Sequence, residues 1–343
     1  MFLDNFIGIF SEDMAIDLGT ANTIVSIGNR GIVINEPSVV AVKQEKNGRS
    51  KILAVGSVAK DMIGKTPVDI TAVRPMRDGV IADFEMTERM IRYFIEKAHK
   101  RKAFLRPRIV ICIPFGITQV ERKAVYESAL SAGAREVFLV EEPMVAALGA
   151  GIPVNEPCGN MIVDIGGGTT EIGVTSLGGL VLSKSIKVAG DRFDKAIVDY
   201  VRQTTNLNIG ERTAENIKFE IGAAYDLKDE LSMTVKGRDG SGFLSTIELK
   251  STDIKDALKE PLKEIATAIR NVLEEMPADL AGDIVDNGIV LTGGGALIRG
   301  LDAYLKNAIK LEVRVAEEPL LAVARGTAKV LENEQLLQLI SDA

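Results

Sequence analysis

The chain has 343 residues, 46% apolar and 26% charged, with a net charge of −7 and no low-complexity tract. That length admits two medium-sized domains with separate cores, and the acidic balance argues against a general nucleic-acid binder, leaving any anionic surface to a local basic patch. A single histidine and two cysteines leave no Ser-His-Asp triad, no Cys/His metal cluster and no disulfide framework, which fits a reducing, cytoplasmic setting.

In chain order, the opening decamer Met1-Phe-Leu-Asp-Asn-Phe-Ile-Gly-Ile-Phe10 lacks the basic start and small-residue cleavage site of a signal peptide. Phe2, Leu3, Phe6, Ile7 and Phe10 fall on one helical face, with Asp4 and Asn5 off it. So short a segment does not hold a helix in water, and folding on a bilayer is expected; the competing reading is a tail packed on its own domain. No uncharged apolar stretch reaches the ~18 residues of a membrane-spanning helix. Strands over 14–17 and 23–27 form a hairpin with glycine at its tip. Residues 37–75, bounded by Pro37 and Pro75, read as a small insertion with short strands. A helix is expected over about 87–100, with Met90, Ile91, Phe94 and Ile95 on its apolar face. His99, among lysines and arginines, reads as a surface residue.

The run Lys97-Ala-His-Lys-Arg-Lys-Ala-Phe-Leu-Arg-Pro-Arg108 places six basic residues around Phe104 and Leu105. Each basic group near an anionic bilayer is worth about 1 kcal/mol, and the two apolar side chains can insert; the alternative is a solvated charge run with Phe104 in the core. The apolar run 108–113 reads as a buried strand containing Cys112. A helix opening on the capping box Thr118-Gln-Val-Glu121 ends near Gly133, and a strand over 136–140 leads into Glu141-Glu-Pro-Met-Val-Ala-Ala-Leu-Gly149, where Pro143 suits the first helical turn.

The pattern then starts again. An apolar strand over 159–164 ends in Asp164, Gly166-Gly-Gly168 makes a tip, and strands follow over 169–175 and 179–187. Helices are expected near 191–204 and 213–224, then turn-rich strands, then a helical stretch over 252–275 interrupted or kinked at Pro261. A strand over 288–292 ends in Gly293-Gly-Gly295, and helices near 299–309 and 321–340 close the chain. Two strand–Asp–Gly hairpins heading two halves of similar size point to internal duplication, and the alternation of strands with helices gives an α/β class.

The glycine clusters are not the common nucleotide motifs. Gly64-Lys-Thr66 resembles the end of a P-loop, but Ala59 replaces its first glycine and Pro67 follows at once. Glu171 and Ile298 occupy the third-glycine positions of a dinucleotide fingerprint. What remains is a pair of hairpins whose tips let backbone N–H groups reach phosphate oxygens, with an aspartate ending each strand to hold Mg²⁺ directly or through water. Either hairpin alone is often just a turn.

Asp17-Leu-Gly-Thr-Ala-Asn-Thr23, Glu142-Pro-Met-Val-Ala-Ala-Leu-Gly149, Asp164-Ile-Gly-Gly-Gly-Thr-Thr-Glu171 and Leu291-Thr-Gly-Gly-Gly-Ala296 resemble the ordered motifs of the actin/Hsp70/sugar-kinase superfamily. With Asn35-Glu-Pro-Ser-Val-Val-Ala41 and Arg74-Pro-Met-Arg-Asp-Gly-Val-Ile-Ala-Asp83, the chain is similar over nearly its whole length to the bacterial actins of the MreB family. The resemblance implies an actin-like ATPase fold: two duplicated RNase H-like α/β domains around a nucleotide cleft, each with a small subdomain. The implied divisions are a membrane-binding N-terminus at 1–10, subdomain IA at 11–41, 75–154 and 324–343, IB at 42–74, IIA at 155–190 and 254–323, and IIB at 191–253.

It also implies roles. Gly19, Thr20, Ala21 and Asn22 would form one phosphate loop and Gly166, Gly167 and Gly168 the other, with Asp17 and Asp164 at the metal. Glu142 would orient the attacking water, helped by Thr169; read from the residues alone, Glu142 equally suits a helix N-terminus, as does Glu141. Glu215 and Lys218 would reach the ribose, and Gly294, Gly295, Ala296 and Leu297 would lie against the adenine. The resemblance further implies slow ATP hydrolysis coupled to polymerisation, paired antiparallel protofilaments with Val120 as a candidate contact, binding to the inner face of the cell membrane through the decamer and the Phe104–Leu105 loop, and RodZ and the MreC/MreD elongation machinery as partners. Val120 also reads as an ordinary surface valine. The competing functions are a small-molecule kinase, which would need a further acid or base for its acceptor, a chaperone-like ATPase with an added substrate domain, and a nucleotide-binding scaffold without turnover.

Overall fold

The computed structural model describes residues 13–44, 50–99 and 106–341. The chain divides into two compact units, the first comprising Met1–Pro157, Thr175–Leu180 and Leu321–Ala343, the second Cys158–Val174 and Val181–Leu320. The opening decamer and the Phe104–Leu105 pair lie outside the described residues.

In the first unit, β1 (Met14–Leu18) and β2 (Asn22–Ile27) pair antiparallel from Met14↔Ile27 to Leu18↔Thr23, and β3 (Gly31–Pro37) continues the meander. The insertion is a small sheet of β4 (Val40–Gln44), β5 (Ser50–Val55) and β6 (Ile70–Val73), followed by a short hairpin of β7 (Met76–Arg77) and β8 (Val80–Ile81). Asp78 and Gly79 at its tip both have positive φ, 51° and 77°, the geometry a two-residue hairpin turn requires. β9 (Arg108–Ile113) lies parallel to β1, and β10 (Glu136–Glu141) parallel to β9, giving the order β10-β9-β1-β2-β3. Central strands covered on both faces read as unbroken apolar runs, as Ile109–Ile113 does.

The helix expected from residue 87 begins at Phe84, because the Asp83 side chain accepts from Met86 N and caps it. It ends at Ala98, and His99, expected at the surface, is only 7% exposed. It occupies the helix C-cap, where its N–H donates to Ile95 O. Thr118 and Glu121 form the capping box of Gln119–Ala132, and Gly133 ends that helix at φ 119°. The final segment is two helices, Ala322–Glu332 and Glu334–Ser341, where one was expected. Asn333 splits them: its side-chain oxygen takes the N–H groups of Gln335 and Leu336 and starts a new helix. Helices Glu142–Gly149 and Ala322–Glu332 pack so closely that a Cβ on Gly149 or Gly326 would lie 1.7 Å from a backbone oxygen of the other.

The second unit repeats the plan. β11 (Asn160–Ile165), β12 (Thr170–Ser176) and β13 (Gly179–Ile186) form the meander. A small sheet of β14 (Leu207–Asn208), β15 (Ser232–Asp239) and β16 (Leu244–Lys250) stands in the place of the first unit's insertion. β17 (Ile289–Thr292) and β18 (Val313–Val315) then add in parallel, so the order β13-β12-β11-β17-β18 mirrors that of the first sheet element for element. Of the interruption or kink expected at Pro261, an interruption does not occur, since Ser251–Glu275 is one 25-residue helix. Ile254, Leu258, Leu262, Ile265, Ile269 and Val272 are all buried along it, and that apolar face outweighs the one backbone hydrogen bond proline forfeits. Helix Ala278–Asn287 and strand β18 have no counterpart in the sequence reading; of their apolar side chains only Ile284 and Val313 are buried, too few to show a period.

Candidate functional site

Each meander carries an aspartate as the penultimate residue of its first strand, just before a glycine-bearing tip. In the first unit Asp17 sits beside Cys112 in the β1–β9 register, with the thiol 4.0 Å from its carboxylate. The tip is tight: a Cβ on Gly19 would stand 2.7 Å from Asn22 O, so only glycine fits there. Thr20 is buried, and its hydroxyl accepts from Gly79 N at 3.1 Å, tying the tip to the β7–β8 turn. Ala21 is half-buried and Asn22 exposed.

In the second unit Gly166 N donates to Thr169 O at 2.9 Å and closes the turn, with Thr169 itself buried. The start of helix Gly190–Thr205 braces this tip from behind: Gly190 N donates to Gly166 O at 3.1 Å and Asp191 N to Gly167 O at 2.8 Å. A helix N-terminus has spare N–H groups for such a task. Gly168 is buried and Gly167 half-buried.

Asp164 is 2% exposed, and its Oδ2 is buried without a hydrogen-bond partner. Burial pushes its carboxyl up to about 7, against the lowering effect of the neighbouring Thr292 hydroxyl. Gly293 leaves it room: a Cβ there would come within 2.3 Å of Asp164 Oδ1 and 2.4 Å of Ile165 O. Gly295 does the same for Ile165, whose Cγ2 would lie 2.2 Å from an added Cβ. The third glycine cluster is thus moulded around the end of β11. Of its 3₁₀ turn Gly294–Leu297, Gly294 and Leu297 are exposed while Gly295 and Ala296 are buried. An orphaned carboxylate oxygen amid glycines fits a divalent cation, which would supply the missing partner. Among the described residues no three His, Cys, Asp or Glu side chains gather as a metal cluster, so a cation here would draw its other ligands from phosphate and water.

Glu142 is the first residue of helix Glu142–Gly149, half-buried, with Pro143 behind it. Its neighbour Glu141 is the N-cap and faces Arg122 at 3.6 Å; burial raises the Glu141 carboxyl and Arg122 opposes this. Glu215 and Lys218 share helix Glu211–Ile221. The Lys218 ammonium pairs with Asp194 at 2.8 Å and donates to Gly190 O at 3.1 Å, so it grips the start of the very helix that braces the second tip. Asp194, absent from the sequence reading, is held up to about 6 by burial, with the negative Glu215 and Asp191 adding to the rise and Lys218 opposing it. Val120 is 78% exposed on helix Gln119–Ala132.

A family model described as MreB/Mbl protein matches residues 11–339. The chain is 53% identical over 334 residues to the cell shape-determining protein MreB of Escherichia coli K12, covering 96% of each chain. It is 48% identical over 326 residues to the cell shape-determining protein Mbl of Bacillus subtilis 168, covering 95% of this chain and 97% of that one. Among solved structures, MreB5 of Spiroplasma citri bound to AMPPNP superposes with a TM-score of 0.90 at 38% identity, covering 95% of this chain and 97% of that one. A MamK double helical filament, at 23% identity and a TM-score of 0.79 over 94% of this chain and 99% of that one, shares the fold.

One consequence of the buried ion pair is measurable. Between about pH 4 and pH 6 the folded protein keeps on Asp194 a proton that the unfolded chain releases. The stability this supplies is full below the unfolded value of 3.8 and is lost as the pH rises through about 6. Urea unfolding across that window should show a flatter pH dependence for Asp194→Asn than for the wild type; equal slopes would contradict it.

Proposed function

The chain belongs to the MreB/Mbl family and has its actin-like α/β fold, and from that premise we propose that it is an ATP-dependent, membrane-associated cytoskeletal filament protein that maintains rod cell shape by organising wall elongation. The observation that carries the reading is the repeated strand–Asp–glycine tip, set at the same place in two sheets of the same order, with Asp164 Oδ2 left without a partner. The names of the relatives and the AMPPNP held by the Spiroplasma protein support it.

In this reading Gly19, Thr20, Ala21 and Asn22 bind phosphate oxygens through backbone N–H groups, as do Gly166, Gly167 and Gly168. Asp17 and Asp164 would hold Mg²⁺, which would supply neutralisation of the phosphate charge. Phosphoryl transfer needs positioning and charge stabilisation more than covalent chemistry, so a chain with one histidine has what it requires. Glu142 orients the attacking water and Thr169 helps to place it. Glu215 takes the ribose, with Lys218 alongside it and fixing the second tip, while the turn Gly294–Leu297 lies against the adenine. The four subdomains divide as the sequence resemblance implies, the two small sheets belonging to IB and IIB. Hydrolysis is slow and coupled to filament turnover, copies pair as antiparallel protofilaments through the face bearing Val120, and RodZ and MreC/MreD link the filament to wall synthesis at the inner face of the membrane.

Electron microscopy with ATP, run beside a phosphate-release assay, tests the central part. Filaments with slow release are expected for the wild type, and Glu142→Ala should keep ATP binding while release falls at least tenfold; unchanged release removes Glu142 from its role. For the membrane, liposome co-sedimentation is expected to fail when residues 2–10 are deleted and Phe104 and Leu105 are made polar. Intact lipid binding in that variant would refute the membrane assignment.

A further inference from the structure

The motif Asn35-Glu-Pro-Ser-Val-Val-Ala41 has no part in the roles above, yet it reaches the first glycine tip. Ser38, completely buried between β3 and β4, holds two carbonyls of that tip at once. Its N–H donates to Ala21 O at 3.0 Å and its hydroxyl to Gly19 O at 2.6 Å. A serine hydroxyl has one proton, and here it is committed to Gly19. The hydroxyl of Thr23, also fully buried and 2.9 Å from Ser38 Oγ, is therefore the donor in that contact. A one-way chain results, from Thr23 to Ser38 to Gly19 O. Such buried chains are strong where every member is satisfied.

A trans peptide is planar, with the N–H of each residue opposed to the preceding carbonyl. Fixing Gly19 O therefore sets the direction of the Thr20 N–H, and fixing Ala21 O sets that of the Asn22 N–H. The same motif anchors the neighbouring layer. The Glu36 carboxylate accepts from Ser57 N at 2.8 Å, from the Ser57 hydroxyl at 2.7 Å and from Lys97 Nζ at 2.8 Å. Two residues apart, one side chain thus fixes the start of the small-layer helix Ser57–Met62 and the other fixes the tip.

We propose that Ser38, completed by Thr23, is a positioning residue for phosphate binding: it aims the amides of the first tip without touching the nucleotide. The proposal rests on the reading of residues 19–22 as a phosphate loop. Its test is the affinity of the full-length wild type, Ser38→Ala and Thr23→Val for ATP and for adenosine, which carries no phosphate, with melting curves taken without nucleotide. Ser38→Ala is expected to weaken ATP about tenfold, as loss of one hydrogen bond to a working loop implies, while adenosine affinity stays within about twofold. Thr23→Val, which keeps the side chain's shape, should move the ATP-to-adenosine ratio in the same direction by less. A purely structural role would lower the melting temperature and leave the ratio unchanged, and an unchanged ratio overturns the proposal. Should Ser38→Ala not fold, the Thr23→Val ratio decides in the same way. Failure of the wild type to bind ATP at all would instead overturn the phosphate-loop reading, and this proposal with it.

Discussion

A carboxylate sealed in a core with an oxygen unpartnered costs folding energy unless something else uses it. Asp164 is such a group, at the end of a central strand, and the protein is shaped to keep it there. Gly293 takes a positive φ of 78° and gives up a side chain so that the carboxylate has space. Burial alone moves the group towards its neutral form; a cation in contact favours the charged form. On the proposed reading the site is destabilised until it is filled, and a bound metal nucleotide would return that energy to the folded state.

On the proposed reading, in which both are phosphate loops, the two glycine tips pose one problem with two solutions. A loop that binds phosphate through N–H groups must have its carbonyls turned away and held. In the second unit a helix N-terminus does this, and Lys218 steadies that terminus through Gly190 O. In the first unit the carbonyls are held by Ser38, from the passage into the small sheet, while Gly79 of the β7–β8 turn ties the tip through the Thr20 hydroxyl. Duplicated sheets have kept the same strand order while the supports behind the tips differ.

Much of the architecture was legible because its signals are local. The capping box at Thr118–Glu121, Pro143 in a first turn, Gly133 beyond a helix end and the two strand–Asp–Gly tips each act within a few residues. What the sequence hid depends on distant partners. His99 looks solvated among basic neighbours, but its burial follows from where the core lies. Pro261 is a helix breaker by local rule, and a long buried face overrules it. Asn333 passes for one more helical residue until its side chain is seen capping the next turn. Ser38 and Asp194 form contacts 19 and 24 positions away along the chain, and no spacing rule points to either.

The central proposal is that both glycine tips are phosphate loops. A crystal structure of the chain with magnesium and AMPPNP tests it most directly. The account expects phosphate oxygens within hydrogen-bonding distance of backbone N–H groups in 19–22 and in 166–168, with the cation beside Asp17 and Asp164. Phosphates held by one tip alone, or a cation held elsewhere, would contradict it.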